Sequence, residues 1–539
     1  MTRLRQLFAA AVKSLLRGKS LVQAFLAFWI SPTSLKGQRF KPGREDGTTR
    51  TIEDFLKEVE ELMMGSTESA KLEQFALLLK AQFREGLMLD PECMLPSYNY
   101  QLPLGHERGQ YLALDVGGST LRVALVELQS RAARGSERNI IRMQSFKISP
   151  TVKALVGNDF FDWMAARVLE TVDGEGQNRN PGSPLLMGLA WSFPLEQTSL
   201  RGGRLRNMGK GFLAAEGLLG QDLGDIIKSA CKRKGLHIEL AAIVNDSTAA
   251  LLSEAYINEA TRFSLILGTG VNIAAHLPIP TITREKYGIR PDGWFEQASH
   301  VVVNTELGMF GKGILPITRW DRLLNAQHPR PDFQPLEHLV SGYYLGEMCR
   351  YVLIEAISTT GIFGGVLPPS LAKPYTLETH IISMIECDTS PSLSTALRVF
   401  TAAHPCTVPP TTSDIAALRT IASFVSRRSA AIVASSVFSL WQLKSETEQE
   451  YVHALSGAGS PTSFITAAEN ELKLPTTVVA YTGSVIENYP AYLTNCQQYI
   501  DQLVTAAGGV PGQIDLVPAK ESSLIGAAVA LACMEGENK

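Results

Sequence analysis

Residues 114–120 read LDVGGST, and residues 267–272 read LGTGVN about 150 residues further along the chain. Each stretch follows an apolar, strand-forming run and leads into another, a pattern that predicts a β-hairpin with a tight turn. Glycines let backbone N–H groups approach a ligand closely, and Ser or Thr adds a hydroxyl donor, which suits phosphate oxygens. A single glycine turn is more often an ordinary hairpin. Two of them predict two similar half-domains that hold one phosphate chain.

The composition indicates a globular protein with more than one domain. A chain of 539 residues is long enough for two or more cores. Hydrophobic residues at 45% and charged residues at 19% are ordinary for a soluble protein, and a net charge of −3 gives no reason to expect nucleic acid as a partner. The seven cysteines include no CxxC pair, which argues against a zinc site or a disulfide framework and fits a reducing compartment.

The first 44 residues differ from the rest, because they hold nine Lys or Arg residues and no Asp or Glu. Apolar residues recur at helical spacing near the start, and an apolar run follows at residues 21–30. That run is too short to span a bilayer, but the amphipathic, acid-free pattern is typical of a mitochondrial presequence or a surface anchor. Two interpretations stay open: contact with the mitochondrial outer membrane through residues 1–31, or a basic tail that is disordered or docks on the large domain.

Strand and helix patterns alternate through the rest of the chain, which predicts layered α/β domains. Predicted strands cover residues 111–114, 121–126, 185–193, 240–244, 263–266, 301–303 and 478–481. Predicted helices cover residues 51–95, 222–231, 335–358, 413–441 and 525–534, with one more after residue 246. We expect residues 129–139 to form a hairpin tip, residues 281–299 a surface loop, and residues 443–475 to contain a loop insertion.

Polar residues stand where several of the predicted strands end. Asp246 follows the apolar strand 240–244, at the position where α/β proteins place ligand groups. An isolated Asp there is more often the N-cap of the next helix, so both interpretations stay open. The other candidates at comparable positions are Ser192, Lys210, Asn245, Asn272, Glu306 and Glu337.

The order and spacing of these short motifs resemble the hexokinase family over residues 50–535. The motifs are SFP at 192–194, GKGF at 209–212, VND at 244–246, GTGVN at 268–272, NTE at 304–306, SGYYLGE at 341–347, KPY at 373–375, IECD at 385–388, GSV at 483–485 and NYP at 488–490. The resemblance implies an α/β, actin-like ATPase (ribonuclease H-like) fold with two domains and a central substrate cleft. It implies a small domain at 110–246 and 521–539 and a large domain at 45–109 and 247–520, after a targeting or anchor segment at 1–44.

The resemblance also implies the reaction, which is ATP-dependent phosphorylation of a hexose at the 6-hydroxyl, with Asp246 as the base. Glucose is the hexose that we expect. It implies hexose contacts from Ser192, Lys210, Asn245, Asn272, Glu306 and Glu337. It implies nucleotide contacts from Asp115, Gly117, Gly118, Ser119, Thr120, Arg122, Thr269, Gly483, Ser484 and Gly526. The chemistry agrees with these residue types, because carboxylates and amides pair with sugar hydroxyls and reject analogues that lack one.

The same resemblance implies Mg-ATP as cofactor, with no direct protein ligand to the metal and Asp115 acting through water. It implies a monomer or a homodimer in the cytoplasm, with association with mitochondria as the alternative location.

Four positions depart from the family pattern: Thr120 replaces an Asn, Gly209 a Thr, Leu524 a Gly and Leu307 an aromatic residue. A lost hydrogen bond between neutral groups costs about 0.5–1.5 kcal/mol. Two or three such losses would weaken the use of ATP by about 10–1000-fold. This profile resembles the atypical hexokinases of filamentous fungi, some of which act as regulators with little or no activity. A catalytically impaired, sugar-sensing regulator is therefore the alternative function.

Overall fold

The computed structural model describes residues 50–172, 184–209, 211–457 and 462–535. The strands are β1 Leu95–Pro96, β2 Arg108–Val116, β3 Thr120–Gln129, β4 Arg138–Lys147, β5 Leu185–Trp191, β6 Leu195–Gln197, β7 Gly203–Leu205, β8 Ile238–Val244, β9 Thr261–Leu267, β10 Val271–Pro278, β11 His300–Asn304, β12 Thr477–Thr482 and β13 Ile514–Pro518.

The helices are α1 Ile52–Met64, α2 Ser69–Leu89, α3 Pro150–Lys153, α4 Asn158–Val172, α5 Leu223–Arg233, α6 Asp246–Ala255, α7 Trp294–Gln297, α8 Arg319–Gln327, α9 Glu337–Val340, α10 Gly342–Thr360, α11 Thr379–Cys387, α12 Ser394–Ala403, α13 Thr412–Gly457, α14 Thr462–Leu472, α15 Ser484–Asn488, α16 Tyr492–Ala506 and α17 Ser522–Glu535. Short 3₁₀ turns lie at Gly65–Thr67, Ile279–Thr281, Arg284–Tyr287, Leu307–Met309, Ile362–Gly365 and Pro369–Ala372.

Two sheets of the same design form the two halves of the molecule. The smaller has the order β4-β3-β2-β5-β8, and the larger has the order β1-β11-β10-β9-β12-β13. In each, three antiparallel strands of a meander are followed by two parallel strands. The repeated topology confirms the prediction of two similar halves, and it places each glycine turn at the corresponding meander turn of its own sheet.

Each sheet has its own core. Buried apolar side chains of the large sheet and of α1, α2, α10, α13 and α16 form one extended cluster, in which α13 packs against β10 and α16 against β13. The small sheet is covered on one face by α4 and α5 and on the other by α17. Helix α6 contacts both α17 and the large-sheet strand β9. Since it touches both halves, α6 lies at the junction between them.

Two sequence predictions need correction, each because tertiary packing overrides the local pattern. Residues 281–299 are not simply a surface loop, because they include α7 and bury Tyr287 and Trp294 in the large core. The predicted helix 335–358 is two helices, α9 and α10, which meet at Ser341.

Within 443–475, where the sequence predicts a loop insertion, helix α13 runs to Gly457 and α14 occupies Thr462–Leu472. The Gly- and Pro-containing stretch on which that prediction rests falls at residues 458–461, outside the described residues. The apolar period fails there because charged side chains, among them Lys444 and Glu448, occupy inward positions and pair with each other.

The predicted hairpin tip at 129–139 is confirmed, since β3 and β4 are joined through residues 130–137. Within the part of the chain that the structure describes, no helix is both long enough and apolar enough to cross a bilayer. The prediction for residues 1–44 lies outside the described residues.

Candidate active site

Both glycine stretches form the hairpin turns that their sequences predict. In the first turn, residues 117–120, the Gly117 N–H donates to the Thr120 carbonyl at 3.0 Å, and Ser119 is exposed at the tip. In the second turn, residues 268–270, the Gly268 N–H donates to the Gly270 carbonyl at 3.0 Å, and Thr269 is exposed. The hydroxyl-bearing residues of both turns therefore face outward, where a ligand can reach them.

Glycines allow two other segments to approach the second turn closely. The Gly342 N–H, at the start of α10, donates to the Gly268 carbonyl at 2.8 Å. Gly483, which precedes α15, has φ +127°, and a Cβ there would lie 2.4 Å from the carbonyl carbon of Leu267. Side chains at these two positions would push the segments apart. The structure thus brings Gly483 and Ser484 next to Gly268 of the second turn, and their predicted contact with the nucleotide stays a prediction.

Asp115 stands at the end of β2, immediately before the first turn. The Arg122 Nε and Nη2 atoms both donate to its Oδ2, at 2.8 and 2.5 Å, and Arg122 Nη1 donates to Glu521 at 2.8 Å. Burial raises the pKa of the Asp115 carboxyl, Arg122 opposes that rise, and the negative charge of Asp246 adds to it. The first turn and Asp246 therefore share one electrostatic environment.

Asp246 is the first residue of α6. The N-cap of this helix is Asn245, whose Oδ1 accepts the Thr248 N–H at 2.7 Å, so the interpretation of Asp246 as the cap is wrong. This frees the Asp246 carboxylate for another partner, and the Ser192 hydroxyl donates to its Oδ1 at 2.7 Å. The two residues meet because β5 and β8 are parallel neighbours, whose carboxyl ends lie side by side. A helix N-terminus favours a negative charge at this place.

On the large-sheet side, three polar side chains form a chain of hydrogen bonds that we call the sugar-side relay: Asn272, Asn304 and Glu306. The Asn272 Nδ2 donates to Asn304 Oδ1 at 2.6 Å, and the Asn304 Nδ2 donates to Glu306 Oε1 at 2.7 Å. Burial raises the pKa of Glu306, and the hydrogen bond from Asn304 opposes that rise. The relay therefore orients a half-buried carboxylate.

The outer end of the relay is anchored to the backbone. The Asn272 Oδ1 accepts the Ile273 N–H at 2.9 Å and the Leu307 N–H at 3.3 Å. Glu306 itself has φ +53°, a left-handed conformation that is unusual for a residue with a side chain. Strained backbone of this kind persists where the surrounding contacts hold it, and functional sites are a common place for it.

Glu337 begins α9 and reaches the second turn. Its Oε2 accepts the Val271 N–H at 3.0 Å and lies 2.9 Å from the place where a Cβ on Gly270 would stand. The carboxylate therefore holds the start of β10, beside Asn272 of the relay. Its predicted contact with the sugar stays a prediction.

Lys210 lies outside the described residues, so its predicted contact with the sugar stays a prediction. The glycines on either side of it, Gly209 and Gly211, have φ +64° and φ +81°. A threonine at 209, as in the family pattern, would be strained in this conformation. The replacement by glycine is therefore consistent with the backbone found here.

Gly526 lies near the start of α17. It is the fifth residue of α17, it is buried, and a Cβ on it would lie 2.0 Å from the Ala249 carbonyl oxygen of α6. The close helix–helix packing explains why a glycine stands here, and its predicted contact with the nucleotide stays a prediction. Leu524 is also buried, in the apolar cluster between α17 and the small sheet. The effect of Leu524 on the use of ATP stays a prediction.

Asn304 and Glu521 are site residues that the sequence prediction leaves out. Asn304 ends β11 within the NTE motif, and its position at a strand end was the available signal. Glu521 is held by Arg122 across 399 positions of the chain, a contact for which sequence carries no local signal. Among the described residues, no group of three or more His, Cys, Asp or Glu side chains is placed to hold a metal ion.

Two matching sheets, each with a glycine turn, together with the buried Asp115 and the half-buried Asp246 at the ends of small-sheet strands, define a phosphotransferase of the actin-like ATPase class. Comparison with known proteins narrows this class. Residues 56–256 and 262–533 match the two family models described as hexokinase. The chain belongs to the hexokinase family, and it is a phosphotransferase that phosphorylates a hexose with ATP.

Curated relatives and solved structures agree. Hexokinase-2 of Oryza sativa subsp. japonica is 33% identical over 360 residues, which cover 66% of this chain and 69% of the relative. Hexokinase-2 of Candida albicans is 29% identical, with 82% of this chain and 84% of the relative covered. A hexokinase crystal structure aligns with a TM-score of 0.69 at 25% identity, over 90% of this chain and 99% of that one.

The hexokinase of Schistosoma mansoni, solved with glucose, aligns with a TM-score of 0.68 at 23% identity, over 90% of this chain and all of that one. At this identity the likeness shows the shared fold.

Proposed function

We propose that Asp246 is the base that accepts the proton of the 6-hydroxyl of glucose as the γ-phosphoryl group of ATP is transferred. The observation that carries this assignment is the Ser192–Asp246 hydrogen bond of 2.7 Å at the N-terminus of α6. Ser192 fixes the carboxylate through Oδ1, which leaves Oδ2 to receive the proton. A carboxylate is sufficient, because phosphoryl transfer has a loose transition state in which the proton leaves late.

The sugar is held on the opposite side by the large sheet. In the proposal, Glu306 and Glu337 accept hydrogen bonds from hexose hydroxyls, and Asn272 and Asn245 complete the set. The relay supports this role, because a carboxylate oriented before the sugar arrives costs less to order on binding. Lys210 retains its proposed contact with the sugar from the Gly-flanked segment.

For the nucleotide, we propose that the two turns hold the phosphates with backbone N–H groups and with the hydroxyls of Ser119, Thr120, Thr269 and Ser484. Mg²⁺ would arrive with ATP, and when bound it neutralises phosphate charge. The residues present fit this role: Asp115 already has Arg122 on Oδ2, so Oδ1 is the oxygen to accept a metal-bound water. Phosphate oxygens would be the direct ligands, which suits a site without a protein cage.

We also propose the domain division stated from the sequence, with residues 110–246 and 521–539 forming the small domain and residues 45–109 and 247–520 forming the large one. The separate cores of the two sheets and the packing of α17 on the small sheet support it. Closure of the two halves on the sugar would exclude water, so that the sugar and not water receives the phosphoryl group.

The proposal is tested with purified protein in a coupled assay with glucose and Mg-ATP. We expect Asp246→Asn to lower kcat by about 10²–10⁴-fold, the usual contribution of a positioned base, with little change in the KM for glucose. Asp225→Asn, which removes an exposed carboxylate from the first turn of α5, is the matched control and should leave both constants unchanged. Equal loss in both variants would refute the assignment of Asp246.

The alternative, an impaired regulator of the kind found among the atypical hexokinases of filamentous fungi, makes a different prediction. It requires glucose to raise the Tm of the protein while Mg-ATP gives no turnover. The alterations at Thr120 and Gly209 are the observations that favour it. If the natural chain turns over glucose and Mg-ATP and the Asp246→Asn variant does not, the regulator alternative is excluded.

Location and assembly complete the proposal. We propose a cytoplasmic monomer or homodimer, with contact between residues 1–31 and the mitochondrial outer membrane. Deletion of residues 1–31 should redistribute a fluorescent fusion, and light scattering gives the mass of the particle. An unchanged diffuse distribution would refute the membrane contact.

A further inference from the structure

Helix α2 carries a second apolar face, on the side opposite the one that packs against α13. On this outer side Leu77, Leu78, Met88 and Leu89 are 58%, 42%, 47% and 74% exposed, and Ala81 between them is exposed as well. At about 100° per residue, Leu77, Ala81 and Met88 fall on one line along the helix, with Leu78 and Leu89 beside it. We call these five residues the α2 face.

The α2 face is continuous, which distinguishes it from a single exposed apolar side chain. From Leu77 to Leu89 it is about 18 Å long, at the rise of an α-helix. Scattered apolar residues are normal on any surface, whereas a contiguous apolar face marks a place where something binds. The exposed fractions show that no side chain of the described residues covers it.

The surface around the α2 face is acidic. Helices α1 and α2, with the turn between them, hold eight Asp or Glu residues and four Lys or Arg residues. On α2, Lys71, Lys80 and Arg84 already pair with carboxylates. Glu73 and Glu85 are exposed and have no Lys or Arg partner among the described residues. A segment that fits this surface is therefore apolar on one side and basic beside it.

The N-terminal segment of the same chain has this chemistry. Its first 44 residues hold nine Lys or Arg residues and no Asp or Glu. Its apolar residues recur at helical spacing, namely Leu4, Leu7, Phe8, Ala11 and Leu15. At that spacing the stripe is about 17 Å long, which matches the α2 face. Residues 18–49 separate the stripe from α1, and a chain of that length reaches up to about 100 Å, so α2 is within reach.

Charge separates this occupant from two others. A second copy of the α2 face would bring one net negative surface against another. The anionic surface of a membrane would be repelled by the same carboxylates. A segment of the same chain also acts at an effective concentration in the millimolar range, so a modest apolar contact is sufficient to hold it.

We propose that residues 3–17 of this chain dock on the α2 face, with their apolar stripe on Leu77, Ala81 and Met88 and their basic side chains towards Glu73 and Glu85. The same stripe cannot lie on α2 and in a membrane at once, so docking withholds it from the membrane. The withholding rests on the proposed membrane contact of residues 1–31, and the docking does not.

The docking is tested by photo-crosslinking in the purified full-length protein. The photoreactive residue p-benzoylphenylalanine replaces Leu77 or, as the matched control, Leu219, an apolar residue of the small half that is 60% exposed. We expect position 77 to cross-link to residues 3–17 in a product with the mass of one chain, and position 219 not to. A product of two chains would make the α2 face a self-association surface. That product, the absence of a cross-link, or equal cross-linking from both positions would each refute the docking.

The withholding is tested with vesicles of phosphatidylcholine and phosphatidylserine in equal parts. Leu77→Gln removes apolar contact without a change of charge. It should lower the Kd for vesicles by about three- to tenfold, as expected if a third to a tenth of the natural chains are undocked. Leu219→Gln is the matched control and should bind as the natural chain does.

An unchanged Kd in Leu77→Gln, or an equal change in both variants, would refute the withholding. If no variant binds vesicles, the membrane contact and the withholding fail together. In either case the cross-link still decides the docking.

Discussion

Replacement of Asn304 by alanine would show whether the sugar-side relay prepares Glu306 for its ligand. In the structure, the Asn304 Nδ2 donates to Glu306 at 2.7 Å and its Oδ1 accepts from Asn272 at 2.6 Å. A hydrogen bond to a charged acceptor contributes about 1.5–3 kcal/mol. If binding depends on that bond, the KM for glucose rises by about 10–150-fold, since 1.4 kcal/mol is tenfold. We expect kcat to be nearly unchanged, because Asp246 and Ser192 are untouched.

The same substitution has a pH signature with a definite sign. Burial raises the pKa of Glu306 and the donor Asn304 opposes it, so removal of Asn304 raises the pKa further. Glu306 is then protonated over a wider acid range, and sugar binding is lost at a higher pH than in the natural chain. The acid limb of kcat/KM should therefore move to higher pH in profiles measured from about pH 5 to pH 9.

The matched control is Asn325→Ala, which removes a half-buried amide whose two hydrogen bonds go to the exposed Asp332. It should leave KM, kcat and the pH profile unchanged. An unchanged KM in Asn304→Ala, or a loss confined to kcat, would mean that the relay does not prepare the sugar site. A general loss of Tm in the absence of glucose, with a normal KM, would assign the relay to stability only.

Three further predictions concern stability. Gly526→Ala puts a Cβ 2.0 Å from the Ala249 carbonyl oxygen, so we expect a loss of about 1–3 kcal/mol or more in urea unfolding; wild-type stability would refute the close packing of α17 on α6. Burial raises the pKa of Glu254 to about 7, so the folded protein loses stability as pH rises from about 4.5 to 7 and this carboxyl ionises. Glu254→Gln should therefore stabilise the protein by on the order of 2 kcal/mol at pH 8 and hardly at all at pH 4. Burial alone would raise the pKa of Glu471, but Lys444 and other cations hold it well below its usual range, so its contribution is present above about pH 4.5 and lost as pH falls. Glu471→Gln should therefore cost about 3–5 kcal/mol near pH 7 and much less in acid, and a cost that does not change with pH would contradict this.

Local patterns were sufficient for the turns and for most strand ends. Apolar runs with a glycine turn between them predict a hairpin because turn geometry depends on a few neighbouring residues. The prediction that Asp246 stands at a strand end is correct for the same reason. The local sequence did not decide whether Asp246 caps its helix, because Asn and Asp are both good N-caps. The structure decides it: Asn245 caps the helix, and Ser192, which is distant in sequence, donates to Asp246.

The sequence by itself was enough to predict the hexokinase family from the order of the short motifs, the α/β fold from alternating strand and helix patterns, and the two similar halves from the pair of glycine turns. Only the tertiary structure decided how distant residues meet. It buries Gly526 and Leu524 against helices and sheet, carries α13 through a charged stretch by pairing Lys444 inside the core, and joins Asn304 to Glu306. The physical reason is the range of the interactions. Turns and caps are made by neighbours in sequence, whereas burial and ion pairs such as that between Arg122 and Glu521 join residues far apart in the chain, where their strength depends on the whole fold.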